Sequence, residues 1–322
     1  MSKIFKTHNQ QLTILRKRNL DVPKTGTPKR ILEKENYYNL INGYKELFID
    51  IPSTSTTPEK YKTDTHISEL KALYDFDFEL RMILLKRIFR VENNIKSAIA
   101  YFFSQKYGHD NYLKLENFDL LISGTASEKN KVFRIKEIID LIKGVQGEIA
   151  KNVTKHEAIK HYMSQHGYVP LWVLVNVLTF GTTGKFFKLM KQTDRQNVGR
   201  SFQINEADLN NIIGLLTLVR NKCAHDERLF DIITKTQIAT NHIHRSLHIP
   251  LNSGGQPING THDLFAAIIS LKLLSTKLEF KKMITEIKDA IEVLENQLNV
   301  ISIDVVLDKM GFPSNWLDIR SI

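Results

Sequence analysis

The sequence predicts an all-α protein, a multi-helix bundle, and three observations carry that expectation. Apolar residues recur at helical spacing over long tracts, strand-like alternation is scarce throughout, and capping residues such as Asn205 and Ser302 stand ahead of the tracts. The 322 residues allow one large or two modest domains, and a hydrophobic content of 42% suffices for a substantial core.

Taken in order, residues 9–18 read as a short helix, 23–28 as a turn rich in Pro and Gly, and a second helix runs toward Tyr44. Up to Glu35 there are nine Lys or Arg against three acids. Either this is a solvated basic face, or it joins Tyr37, Tyr38 and Tyr44 in gripping single-stranded RNA. Residues 51–64, rich in Pro, Ser and Thr, read as a linker, so 1–64 form a basic helical segment and linker. A long helix spans 67–107 and ends at Gly108, with a possible break at Asp75-Phe76-Asp77. Its stripe includes Leu70, Leu73, Leu80, Leu84, Ile88, Val91 and Ile95. Between Arg81 and Lys96 it carries five cations against one carboxylate, Glu92, which by default is a solvated face.

Further helices are expected over 128–151 and 155–165. His156, His161 and His166 are five apart, so successive imidazoles turn by about 140°, a poor metal geometry. Val169-Pro170-Leu171-Trp172 opens a helix that is apolar almost all round and should be deeply buried. Phe180-Gly181-Thr182-Thr183-Gly184-Lys185 lacks the spacing and preceding strand of a phosphate loop and reads as a turn. Beyond it Lys185, Lys188, Lys191, Arg195 and Arg200 oppose only Asp194, which makes them the preferred RNA-backbone patch. His244 and His248 have helical metal spacing with no third ligand nearby and read as surface or packing residues. Two amphipathic helices fill 262–300, and Ser302 caps a short last one.

A net charge of +10 favours a polyanionic partner, of which nucleic acid is the economical choice. The single cysteine, Cys223, excludes an intramolecular disulfide and a multi-cysteine metal site and fits a reducing compartment. The N-terminal stretch has no continuous apolar run, and no later stretch reaches about 18 uncharged apolar residues. A soluble, cytoplasmic protein without membrane contact is expected, with no cofactor and no bound metal.

Residues 206–228, EADLNNIIGLLTLVRNKCAHDER, gather the chemistry. Asn205 caps the helix, and Leu209, Ile212, Ile213, Leu216, Val219 and Cys223 form its core stripe. Gly214, Leu218, Asn221 and His225 make a second face suited to close approach by another helix. Arg220 and His225 are five apart and about 140° from each other, so Arg220 must reach around or meet a histidine from elsewhere.

Arg220-Asn221-Lys222-Cys223-Ala224-His225 fits the R-N-x-x-x-H signature of HEPN ribonucleases. With Asp226-Glu227-Arg228-Leu229 it resembles the R-N-x-C-A-H-x-x-R-L segment of the Abi (abortive infection) family, AbiD/AbiF-like. Further landmarks of that family are Tyr37-Tyr38-Asn39-Leu40-Ile41-Asn42-Gly43-Tyr44, Pro170-Leu171-Trp172, Phe180-Gly181, Gly311-Phe312-Pro313 and Asn315-Trp316, which together span nearly the whole chain. The resemblance implies a HEPN-like helical core over residues 67–245, with N-terminal additions and a C-terminal helical segment, 246–322. It also implies catalytic roles for Arg220, Asn221 and His225, and adds Arg228 to the RNA-binding candidates. If the long helix packs antiparallel to the catalytic one, Arg87 or Arg90 would lie beside the cleft and hold a phosphate.

Such residues need no metal to cleave RNA, because the 2′-OH is the nucleophile and the enzyme moves protons and stabilises charge on the phosphate. Histidine transfers protons near neutral pH, and arginine's fork suits the transferring phosphate. The expected products are a 2′,3′-cyclic phosphate and a 5′-OH. Acid and base roles are best served by two groups, yet among 11 histidines the signature occurs once. In HEPN enzymes the cleft lies between two such motifs, so a symmetric homodimer is expected, its helices meeting through Gly214 and Leu218 beside the catalytic residues. Three functions remain open: an endoribonuclease of a phage-defence system, a latent or non-catalytic ribonucleoprotein that holds a dedicated noncoding RNA, and a helical adaptor.

Overall fold

The computed structural model describes residues 4–121 and 126–322. Among them are thirteen α-helices and one antiparallel hairpin, an all-α multi-helix bundle as the sequence predicts. The N-terminal part consists of α1 (His8–Lys17), α2 (Gly26–Lys34), a wide helical turn (Tyr38–Asn42) and the strands β1 (Ile49–Ile51) and β2 (Lys60–Tyr61). Next come α3 (Ile67–Tyr107), α4 (Glu128–Asn152), α5 (Glu157–His166), α6 (Leu171–Leu174), α7 (Phe180–Leu189), α8 (Gln192–Ser201) and α9 (Glu206–Ala224). The chain closes with α10 (His242–Ser246), α11 (Leu264–Leu274), α12 (Lys277–Glu295) and α13 (Ile303–Lys309). The three segments distinguished in the sequence share one hydrophobic core.

The central element is α3. His66 and Glu69 form a reciprocal cap at its start, and Gly108 at φ 88° ends it where the sequence predicts. The expected break at Asp75-Phe76-Asp77 does not occur, because Asp77 is buried and used as an acceptor by distant parts of the chain. It receives hydrogen bonds from the Tyr44 hydroxyl at 2.6 Å, the Leu229 amide at 3.1 Å and the Phe230 amide at 2.7 Å. One turn on, the buried Arg81 donates to the Glu227 carbonyl at 3.1 Å and lies 2.7 Å from Asp226. At the start of the helix Glu69 accepts from the amides of Asn299 and Val300. Further along, Arg87 holds both carboxylate oxygens of Glu286 on α12, at 2.9 and 3.0 Å. The side of α3 that sequence reads as a solvated cationic face is therefore largely an internal ladder of charges.

Four local expectations are corrected. The 51–64 stretch is no free linker: Ile49 pairs with Tyr61 across the hairpin, and buried Glu59 binds Arg18 and Lys45 at 2.6 Å each. Two-residue pairing is too short to show as alternation in sequence. The helix at Pro170 lasts one turn, with Leu171, Val173 and Leu174 inward but Trp172 50% exposed. Residues 180–185 are not a turn but the start of α7, capped by Thr179, which accepts from the Thr182 amide at 3.1 Å. Gly184 serves packing there, since a Cβ would come within 2.9 Å of Ile213 on α9. Finally, α9 stops at Ala224, so His225 caps the helix end instead of continuing its second face, because Asp226 adopts φ 56° and turns the chain back.

The Gly311-Phe312-Pro313 landmark is structural: at φ 75°, Gly311 leaves no room for a Cβ, which would stand 2.4 Å from Asp263, the cap of α11.

Asp77→Asn replaces an acceptor of three hydrogen bonds by a group half of which is a donor. It should lower unfolding stability by about 2 kcal/mol or more, read from the midpoint of a urea transition at unchanged slope.

Candidate functional site

The end of α9 is built by local rules. Asn205 accepts from the Asp208 amide at 2.8 Å at one end. At the other, the His225 amide donates to the Asn221 carbonyl and the Glu227 amide to the Lys222 carbonyl, so the reversal at Asp226 satisfies the last carbonyls. The predicted core stripe of Leu209, Ile212, Ile213, Leu216, Val219 and Cys223 is buried throughout. Burial pushes the Cys223 thiol up to about 12, which removes it as a nucleophile.

His225 stands exposed at the helix end, on the wall of a hollow of about 460 Å³. The opposite wall is the turn Tyr38–Asn42, which contributes Tyr38, Asn39 and Asn42; Lys222 and Arg228 add two cations and Asp226 and Glu227 two carboxylates, with Lys222 3.0 Å from Glu227. These segments lie some 180 residues apart in sequence and are joined by two ties. Arg228 donates to the Gly43 carbonyl at 2.5 Å and lies 2.8 Å from Asp231. Tyr44 reaches Asp77, and burial together with that carboxylate pushes its phenol up, so Tyr44 stays a donor. Burial also raises Asp77, against the opposing effect of its three donors and of Arg81. Two tyrosines of the 37–44 landmark thus have separate roles: Tyr38, 68% exposed, faces the hollow, whereas Tyr44 is buried in the hub. Sequence reading leaves Asn39 and Asn42 unassigned; their place in the same landmark is the signal that could have found them.

Arg220 takes a different direction. Its Nε lies 3.7 Å from Oε2 of buried Glu92, and its guanidinium stacks over the half-exposed ring of Phe89 at 5.6 Å. Glu92 is also 2.7 Å from Lys96. Arg220 does not line the hollow with His225, in keeping with their five-residue separation. Asn221 is exposed, Leu218 is 42% exposed, and Gly214 is half-buried with Thr236 of the same chain over it, 3.3 Å from where a Cβ would be. Phe78, Met82 and Phe89 extend the exposed edge of α9 as an apolar strip on α3.

The cationic candidates are not gathered here. Lys188, Lys191, Arg195 and Arg200 lie around the α7–α8 corner, which touches the start of α9 through Gln192 and Glu206 at 3.0 Å. His225 is the whole helix away, roughly 28 Å at 1.5 Å per residue. Within that corner Arg195 bonds the Met190 carbonyl, Lys191 sits over Tyr107 at 5.4 Å, and Lys188 is 3.7 Å from Glu137; Lys185 is half-buried on α7 and Arg200 is exposed. The long helix does run antiparallel to α9, but Arg87 and Arg90 turn to α12, pairing with Glu286 and, at 3.7 Å, with Glu279. Neither lies beside the end of α9. Arg228 acts in part as a clamp within the chain.

His244 is buried, with Nε2 2.8 Å from the Gly260 carbonyl, and burial lowers its pKa. Among the described residues no three His, Cys, Asp or Glu converge as a metal site, and no helix is long and apolar enough to cross a membrane.

Since Arg228 fastens the 38–44 segment, Arg228→Ala should loosen one wall of the hollow while the bundle stays folded. Backbone amides of 38–44 should exchange with deuterium at least several-fold faster, with thermal unfolding shifted by only a few degrees.

Comparison with known proteins gives no match among curated proteins and none among solved structures. The family described as Abi-like protein matches over residues 30–231, a stretch that holds both walls of the hollow, the whole of α3 and all of α9. The chain belongs to the Abi-like protein family.

Proposed function

We propose that this chain acts on RNA as a HEPN-type, metal-independent endoribonuclease of a bacterial phage-defence (abortive infection) system, of the AbiD/AbiF-like kind. The observation that carries the reading is His225, exposed on a hollow lined also by Tyr38, Asn39 and Asn42, by the cations Lys222 and Arg228 and by the carboxylates Asp226 and Glu227. A phosphodiester and its nucleosides suit this set where the phosphate draws Lys222 from Glu227 and Arg228 from Asp231, and Tyr38 offers a ring for a base. His225 takes the 2′-OH proton, or donates one to the departing 5′-oxygen. The 2′-oxygen attacks phosphorus, the bond from phosphorus to the 5′-oxygen breaks, and the products are a 2′,3′-cyclic phosphate and a 5′-OH.

One imidazole supplies one of the two proton transfers. The second comes from His225 of a second chain, with Leu218, Asn221 and the neighbouring Phe89 forming the surface through which two copies of α9 meet. In that arrangement Arg220, which stands outside its own hollow, stabilises charge on phosphate held between the two helices.

A second reading is favoured by one feature. Arg220 is already engaged by Glu92 and Phe89, which suits a latent or non-catalytic ribonucleoprotein that holds a dedicated noncoding RNA until something frees the guanidinium.

Purified protein should carry nucleic acid, and sequencing identifies it. Cleavage of RNA by the parent should persist in EDTA and fall by at least about 10²-fold in His225→Ala. Cutting that survives the substitution places the active site elsewhere, while a discrete copurifying RNA without cutting selects the ribonucleoprotein. Light scattering at micromolar concentration should give twice the chain mass, and a strict monomer contradicts the two-chain site.

A further inference from the structure

Beside Arg220, on the same flank of α3, lies a separate hollow of about 650 Å³ between α3 and the single turn of α6. Two rings line it that the bundle does not use for packing: Trp172 is 50% exposed and Tyr101 61% exposed. A tryptophan held half out of a helix that is otherwise inward-facing gains nothing for the core. Lys96 also lines the hollow, its side chain only 9% exposed, with Nζ 2.7 Å from Glu92 and further N–H donors left over. Ser104 lines it as well, and its Oγ is out of solvent and without a hydrogen-bond partner. The site therefore combines aromatic walls with buried donors, one of them unsatisfied.

We propose that this hollow receives one unstacked nucleobase of single-stranded RNA, held between Trp172 and Tyr101 with its carbonyl edge toward Lys96 and Ser104. The inference rests on the reading of the chain as an RNA-acting protein and adds a base-selecting subsite to it. A volume of this size suits a single nucleoside, and aromatic rings with a buried cation are the recurring means of holding an unpaired base. Donors selecting the edge favour uracil or guanine, which present carbonyl oxygens, over adenine, whose exocyclic amino group would meet the ammonium. Glu92 bridges Lys96 to Arg220, so the subsite and the signature arginine share one carboxylate.

The chain has two tryptophans, and the other, Trp316, is buried. In a Trp316→Phe, His225→Ala background, emission reports on Trp172 alone and RNA is not consumed. Five-nucleotide oligouridylate, oligoadenylate and an abasic phosphodiester of equal length serve as probes, with fluorescein anisotropy recording binding independently. Oligouridylate should quench Trp172 saturably and bind several-fold more tightly than oligoadenylate, whereas the abasic chain should leave Trp172 unquenched. Tyr101→Ala, at a largely exposed position that leaves the fold intact, should weaken oligouridylate by roughly tenfold. Lys96 is a poorer choice, because its removal strands Glu92. Binding seen by anisotropy with Trp172 emission unmoved overturns the subsite and leaves the RNA reading standing; so does Tyr101→Ala binding as the parent does, or oligoadenylate binding as tightly as oligouridylate. Absence of RNA binding by anisotropy overturns both.

Discussion

The structure depends on charges buried along one helix. Glu69, Asp77, Arg81, Arg87 and Glu92 all lie within α3, and each meets a partner from a distant part of the chain. Isolated, any of them would be strongly destabilising in a core, and removing one partner of such a pair typically costs about 3–5 kcal/mol. Paired, they fix register. The segments packed on α3 cannot slip by a turn without leaving Asp77 or Arg81 unmatched, whereas apolar side chains alone would tolerate more slippage.

That register builds the candidate site. Asp77 takes the amides of Leu229 and Phe230, which follow the end of α9, and the hydroxyl of Tyr44, which follows the Tyr38–Asn42 turn. One carboxylate thus sets the distance between the two walls of the hollow. His225 lies at the rim because Asp226, adopting a left-handed conformation beside Arg81, ends the helix there. On α3, a few turns beyond Arg81, Glu92 draws Arg220 away from His225 and leaves the two on different sides of α9.

Much of this was legible where the determinants are local. The bounds of α3 follow from an apolar period kept over most of its length and a glycine stop, and the start of α9 from Asn205, since neither depends on the rest of the fold. Residues whose role is set by distant partners were not legible. Arg87 and Arg90 look like free cations in sequence, and only the position of α12 shows them taken up by Glu286 and Glu279. Gly184 resembles a turn residue because close packing of α7 on α9 uses the same residue type. The pairing of Tyr38 and Asn39 with His225 has no signature in local pattern; only their presence in the same family landmarks hinted at it. The cationic run from Lys185 to Arg200 precedes α9 in sequence and stands beside its start, at the opposite end of that helix from His225.

The central claim is that RNA lies in the hollow between His225 and the Tyr38–Asn42 turn. Photo-crosslinking of 4-thiouridine-substituted RNA to the intact protein, with adducts mapped by mass spectrometry, tests it directly. Adducts are predicted on peptides spanning 38–44 and 222–228. Adducts confined to 185–200, or to surfaces remote from both, would contradict the account.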